Sequence, residues 1–224
     1  MNTRRIMYPY NEFHGERLNG QAVDEVLRSY FSKNTGIFFD VGAFEPIRIS
    51  NSYHFEKNGW ECYCFEANTD LIPELQSKRK HVYNYAIANE DKESVTFHVV
   101  QTSNWTAGFS AIQISEEYKK IFPCEFESVK LLTVPQRTLN SIIEQEIPEI
   151  TEIDILSVDI EGGEYNCLMG VDLNKYKPKV IVLENVTDDK MIRTYLESHQ
   201  YTLDRHIAYN QYYVHAEYRK KQLS

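Results

Sequence analysis

Ile37-Phe38-Phe39-Asp40-Val41-Gly42-Ala43 is a nearly unbroken apolar run, interrupted by one acid and closed by a glycine and an alanine. An apolar run without alternation marks a strand buried on both faces, which is the habit of parallel sheets sandwiched between helices. The glycine after it lets backbone come close to a bulky group. Upstream, Ala22, Val23, Val26, Leu27, Tyr30 and Phe31 recur at three- and four-residue spacing, which predicts an amphipathic helix from Gln21 that closes near Asn34-Thr35-Gly36. Residues 1–20 carry no clear period and are expected to form an N-terminal arm, ahead of a single domain over 21–224.

Downstream the unit repeats. A helix is expected over Ser50–Lys57, ending at Asn58-Gly59, then a strand over Trp60–Phe65 that ends in Glu66. Asn68-Thr69-Asp70 caps the next helix, with Pro73 in its first turn and Leu71 and Leu75 inward. Strands follow at His81–Ile87, Ser94–Val100, Ile153–Asp159 and Val180–Leu183, with a short strand running into a helix over Val134–Ile143. Helices are expected at Glu164–Met169 and Met191–Leu196, and Tyr201–His206 with Gln211–His215 alternate as a final antiparallel hairpin. Strands separated by helices predict an α/β fold with a doubly wound, mostly parallel sheet. Residues 101–133 break this rhythm with polar residues and scattered aromatics, the pattern of an insertion that serves as a lid or binding loop.

The 224 residues suit one domain, and 42% hydrophobic with 25% charged residues excludes a disordered chain. Twenty-four basic against 33 acidic side chains leave a net charge of −9, a poor match for nucleic acid or an anionic membrane surface. The two dense basic runs, Lys78-Arg79-Lys80 and Arg219-Lys220-Lys221, are expected to be solvated surface. No apolar stretch approaches the ~20 residues of a membrane helix, and the first ten residues lack the apolar core of a secretory signal. Cys62, Cys64, Cys124 and Cys167 have no metal-ligand spacing and are expected to be buried free thiols of a cytoplasmic protein.

In an open parallel sheet, ligands sit outside the carboxyl ends of the strands. Here those ends are acidic: Asp40, Glu66, Asp159 and Glu184. The first turn, Asp40-Val41-Gly42-Ala43-Phe44-Glu45-Pro46, lacks the glycine series that lets a pyrophosphate approach, which disfavours a dinucleotide. Glu66, at the next strand end, stands where a carboxylate accepts hydrogen bonds from both hydroxyls of an adenosine ribose. An adenosine without phosphates but with a positive charge fits such an edge, and S-adenosylmethionine is that molecule. Further on, Asp159-Ile160-Glu161-Gly162-Gly163-Glu164 places three carboxylates where a strand turns into a helix, with Asp159 and Glu161 expected to face a methyl acceptor.

Phe38–Ala43, Ser50-Asn51-Ser52, Gly59-Trp60, Cys64-Phe65-Glu66-Ala67-Asn68, Asp159–Glu164 and Pro178–Glu184 together resemble the FkbM-type methyltransferases over roughly residues 13–214. The resemblance implies a class I, Rossmann-like methyltransferase fold that binds S-adenosylmethionine and transfers its methyl to oxygen, commonly a hydroxyl of a sugar or natural-product scaffold. By position it implies Asp40, Gly42 and Ala43 as the cofactor loop, Ser52 near the methionine tail, Glu66 and Ala67 at the ribose, and Ala86 and Ile87 along the adenine. One departure is Phe44-Glu45-Pro46, where the family usually has Asn or Asp and then Gly.

Because the sulfonium already activates the methyl, the remaining tasks are alignment and removal of the hydroxyl proton. Asp159, Glu161 and Glu184 are the candidate bases, with His54 and His206 behind them. Alternatively, two of the carboxylates hold Mg²⁺ with the acceptor hydroxyl, lowering its pKa. Two rival readings are a metal-dependent nucleotide-sugar glycosyltransferase using Asp159-Ile160-Glu161, and a non-catalytic binding module.

Overall fold

The computed structural model describes residues 12–101, 110–112, 116–121 and 128–223. In chain order the elements are β1 (Arg17–Leu18), β2 (Gln21–Ala22), α1 (Val23–Arg28), β3 (Ile37–Val41), α2 (Tyr53–Lys57), β4 (Glu61–Phe65), α3 (Ile72–Lys78), β5 (His81–Tyr83), β6 (Ala86–Ile87) and β7 (Lys92–Gln101). They continue with α4 (Glu116–Ile121), β8 (Ser128–Arg137), α5 (Leu139–Glu146), β9 (Ile155–Val158), α6 (Glu164–Met169), α7 (Leu173–Tyr176), β10 (Val180–Glu184), α8 (Lys190–Ser198), β11 (Tyr201–Ile207), β12 (Asn210–His215) and α9 (Ala216–Leu223).

Seven strands form the main sheet in the order β11-β12-β10-β9-β3-β4-β5. The five from β10 to β5 are parallel, while β12 runs antiparallel to both β10 and β11. The expected doubly wound sheet and closing hairpin are therefore present. The order reverses between β3 and β9, so the crevice at their carboxyl ends is the place for a ligand. The apolar run of β3 is buried on both sides, as its lack of alternation required. Phe39 and Val41 pack with Tyr63, Phe65, Leu156 and Ile142 on one face. Phe38 packs with Phe55, Trp60, Ile155 and Leu27 on the other.

Three expectations need correction. The helix expected from Gln21 begins at Val23, because Asn19 and Gly20 turn at φ of 50° and 82° and pair β1 with β2 first. An Asn-Gly pair in the left-handed region is the favoured two-residue hairpin turn. The continuous strand expected over His81–Ile87 is broken in two: β5 joins the main sheet, and β6 joins a second sheet of order β6-β8-β7. Asn84 makes the break, its Nδ2 donating to the carbonyls of Glu66 at 2.8 Å and Ala67 at 3.1 Å. The third concerns residues 101–133, whose last six are not irregular but the first part of β8, which pairs with β7 as an antiparallel ribbon. The lid reading for 102–109, 113–115 and 122–127 lies outside the described residues, as does most of the arm.

Cys62, Cys64 and Cys167 are buried free thiols as expected, while Cys124 falls outside the described residues. Among the described residues, no helix is long and apolar enough to cross a membrane.

Candidate active site

The carboxyl edge of the main sheet opens into a cavity of about 500 Å³, within the range of small-molecule sites. One side is made by Gly42, Glu66 and Ala67 at the ends of β3 and β4, another by Ala86, Ile87 and Gln136 of the second sheet, and a third by Ile160 and Asn166. Gly42 is there by necessity. Its φ is +85°, and a Cβ on it would stand 1.8 Å from the carbonyl oxygen of Asp159. Its amide donates to the carbonyl of Phe65 at 2.9 Å, which pulls the β3 loop against β4.

Glu66 is buried, yet its carboxylate is well ordered: Oε2 accepts from the Phe44 amide at 2.9 Å and Oε1 from the Asn68 amide at 2.7 Å. Burial pushes its pKa upward against those hydrogen bonds. These amides, with that of Ala67, leave part of the carboxylate's acceptor capacity for a ligand hydroxyl.

Asp40 and Ser52 stand beneath this cavity, not on it. Ser52 Oγ donates to Asp40 Oδ2 at 2.5 Å and accepts from Arg79 Nη2 at 2.7 Å. Arg79 also donates to Glu56 at 2.6 Å, to Ser50 Oγ at 3.0 Å and to the Pro46 carbonyl at 3.2 Å. The side chain of Arg79 is 0% exposed, so the middle of the Lys78-Arg79-Lys80 run is a buried charge, contrary to the expectation of solvated surface. An arginine that closes such a network is costly to remove, because it would leave Asp40 and Glu56 without their cation. Of the other run, Arg219 pairs with Asp204 and Lys220 is exposed, while the side chain of Lys221 lies outside the described residues.

Beside the cavity, one carboxylate oxygen each from Asp159, Glu161 and Glu184 lie within 4.8 Å of one another. At that separation two unit charges repel by about 3.5 kcal/mol at an effective dielectric of about 20. Burial first, then neighbouring acids including Glu16 and Glu164, pushes Asp159 up to about 8. Burial and the charges of Asp159, Glu161 and Glu164 push Glu184 up to about 11, and burial with the charges of Glu164 and Glu16 raises Glu161 well above its usual range. Glu161 takes a left-handed φ of 59°, between Ile160 and Gly162, which line the cavity. Glu164 holds this loop in shape, its Oε1 accepting from the amides of Ile160 and Gly162, both at 3.1 Å.

The model of the Methyltransferase FkbM domain family matches residues 40–203, nearly three-quarters of the chain. The chain belongs to the FkbM methyltransferase family. Its strand order and switch point are those of a class I methyltransferase fold. Among solved structures, it is similar to a precorrin-6y C5,15-methyltransferase from Geobacter metallireducens, with 16% identity, a TM-score of 0.43, and coverage of 93% of this chain and 97% of that one. It is also similar to a putative RNA methyltransferase from Pyrococcus horikoshii, with 11% identity, a TM-score of 0.42, and coverage of 93% and 91%. No curated protein matches significantly.

Membership of the FkbM methyltransferase family implies S-adenosylmethionine as methyl donor, and the cavity fits that molecule. The floor at Gly42 admits no side chain, and Glu66 offers paired acceptors for a ribose. Of the residues expected to hold the cofactor, Gly42, Glu66, Ala67, Ala86 and Ile87 line the cavity. Asp40, Ala43 and Ser52 are not among its lining residues. Ala43 is buried against Cys64 and Leu75, and Asp40 and Ser52 brace the loop through Arg79. Asp159, Glu161 and Glu184, the candidate bases, lie together at the ends of β9 and β10. His54 does not join them: it is buried, its Nδ1 meets the Glu12 carbonyl at 3.1 Å, and burial lowers its pKa. His206 is exposed on β11.

Two site residues were not legible in the FkbM-like motifs. Arg79 was hidden by its basic neighbours. Glu16 lies in the segment expected to be a mere arm, yet its side chain bonds Asn210, and Asn210 is the register partner of Glu184. The Asn19-Gly20 hairpin signal was the one clue that residues before 21 fold onto the domain.

Proposed function

We propose that this FkbM-family methyltransferase transfers the methyl of S-adenosylmethionine to a hydroxyl of a sugar, in a glycan or glycoconjugate. The observation that carries the reading is the position of the acidic cluster: Asp159 and Glu161 stand on the loop whose Ile160, Gly162 and Gly163 wall the cavity, and Glu184 meets them from the end of β10. The acceptor oxygen attacks the methyl carbon, the carbon–sulfur bond breaks to leave neutral S-adenosylhomocysteine, and the hydroxyl proton passes to a carboxylate. A base with a pKa near the working pH suits that step, and Asp159 at about 8 has it.

A sugar, rich in hydroxyl donors and free of negative charge, matches an acceptor site built from acids. The chain's net charge of −9 and its free thiols further support an uncharged acceptor met in a reducing cytoplasm, with neither nucleic acid nor membrane as partner. The test is a screen of free and nucleotide-linked sugars with labelled donor, read by mass spectrometry. A gain of one methyl on a sugar oxygen supports the proposal. Thermal stabilisation by UDP-sugars but not by S-adenosylhomocysteine would overturn it in favour of glycosyl transfer, and donor binding without transfer to any acceptor would favour a binding module.

A further inference from the structure

We propose that the ends of β9 and β10 hold a hard divalent cation of the Mg²⁺ or Mn²⁺ kind, bound by Asp159, Glu161 and Glu184, with Glu16 of the N-terminal segment beside them as a fourth carboxylate. The purpose of the cation rests on the methyl-transfer reading above; the binding site itself rests on geometry. Three oxygens from three side chains already lie within 4.8 Å of one another. An octahedral ion with bonds near 2.1 Å spaces its ligand oxygens at roughly 3 to 4.2 Å, so small side-chain rotations close the shell.

A second observation is independent of that proximity. Glu161 Oε2 is fully enclosed and has no hydrogen-bond partner. A buried carboxylate oxygen left in this way is rare in folded proteins and calls for a donor or a cation. Among the described residues, no basic side chain forms an ion pair with Asp159 or Glu161, and the charged groups acting on both are acids. An all-oxygen ligand set without histidine or cysteine selects Mg²⁺ or Mn²⁺ over softer ions.

Glu16 gives the N-terminal segment a part in the site. Its backbone carbonyl accepts from the Val23 amide at 3.0 Å, and its side chain is tied to Asn210 across from Glu184. The segment therefore brings a carboxylate to β10 from outside the sheet. With the cation in place, an acceptor hydroxyl can complete the shell and lose its proton more readily.

The experiment is calorimetric titration of metal-stripped protein with MnCl₂, MgCl₂ and ZnCl₂, without acceptor, alongside titration with S-adenosylhomocysteine. The expected result is one Mn²⁺ or Mg²⁺ per chain, at least tenfold weaker in Glu161→Gln and in Glu184→Gln, and weakened to a smaller degree in Glu16→Gln. Each variant keeps the shape of its side chain and adds no charge, so its melting temperature in the absence of metal is expected to hold or rise. No saturable Mn²⁺ or Mg²⁺ binding at millimolar concentration, or equal affinity in Glu161→Gln and Glu184→Gln, would overturn the cation site. S-adenosylhomocysteine binding in that same sample would leave the methyl-transfer reading standing. Metal binding with no affinity for S-adenosylhomocysteine would instead support the cation site and count against methyl transfer.

Discussion

A Cβ on Gly42 would lie 1.8 Å from the carbonyl oxygen of Asp159, so the turn after β3 and the acidic loop touch through bare backbone. Asp159 is held in that contact from its own side, its amide donating to the Val41 carbonyl at 2.9 Å. Gly42→Ala is expected to push the two loops apart and to strain a residue at φ of +85°. The cost is about 1–3 kcal/mol of backbone strain before the clash itself. Thermal melting should show a loss of several degrees, and donor affinity should fall with it; unchanged values for both would show that the loops separate freely.

Glu66→Ala removes the two acceptors offered to a ribose and releases the amides of Phe44 and Asn68. The dissociation constant for S-adenosylhomocysteine is expected to rise at least tenfold, ~1.4 kcal/mol. Calorimetry checks this, and equal affinity would remove Glu66 from the donor site.

Asp159→Asn and Glu161→Gln keep the shape of the acidic cluster but remove its proton acceptors. Turnover is expected to fall by roughly 10²–10⁴ while donor affinity stays within a fewfold. Full turnover in both variants would place the base elsewhere.

The acidic cluster also sets a pH dependence of stability. Asp159 and Glu184, normally 3.8 and 4.5, titrate at about 8 and about 11 in the fold, so the folded chain holds protons that the unfolded chain has released. Stability contributed in this way is present at low pH and falls as pH rises from about 4 through 8, and on toward 11 for Glu184. The melting temperature of metal-free protein should decline across that window, and Glu184→Gln should flatten the decline.

Arg79→Met strips the cation from Asp40, Ser52 and Glu56. Removing one partner of a buried charged network costs about 3–5 kcal/mol. Denaturant unfolding measures it, and a loss under 1 kcal/mol would mean that the network contributes little.

The sequence displays the centre of the main sheet well because β3, β4, β9 and β10 are apolar runs, and the acids that matter stand at their carboxyl ends. Glu66, Asp159 and Glu184 were legible on that ground alone. The second sheet was not: six residues of β8 are mostly exposed and carry no apolar alternation to announce a strand. The FkbM-like motif implies Ser52 near the methionine tail, whereas Arg79, distant by 27 positions, claims its hydroxyl in the fold. Pairings of that kind depend on tertiary approach, which no local pattern encodes. Glu16 escaped for the same reason, since its partner Asn210 lies at the far end of the chain.

Ala86 and Ile87 belong to the small sheet, while Gly42 and Glu66 directly follow β3 and β4 of the large one, and all four face the same cavity. A ligand seated there is thus a rivet between two sheets. The β7–β8 ribbon, anchored through β6, is joined to that rivet by its base, so occupancy of the cavity will register as slower amide exchange far out along the ribbon.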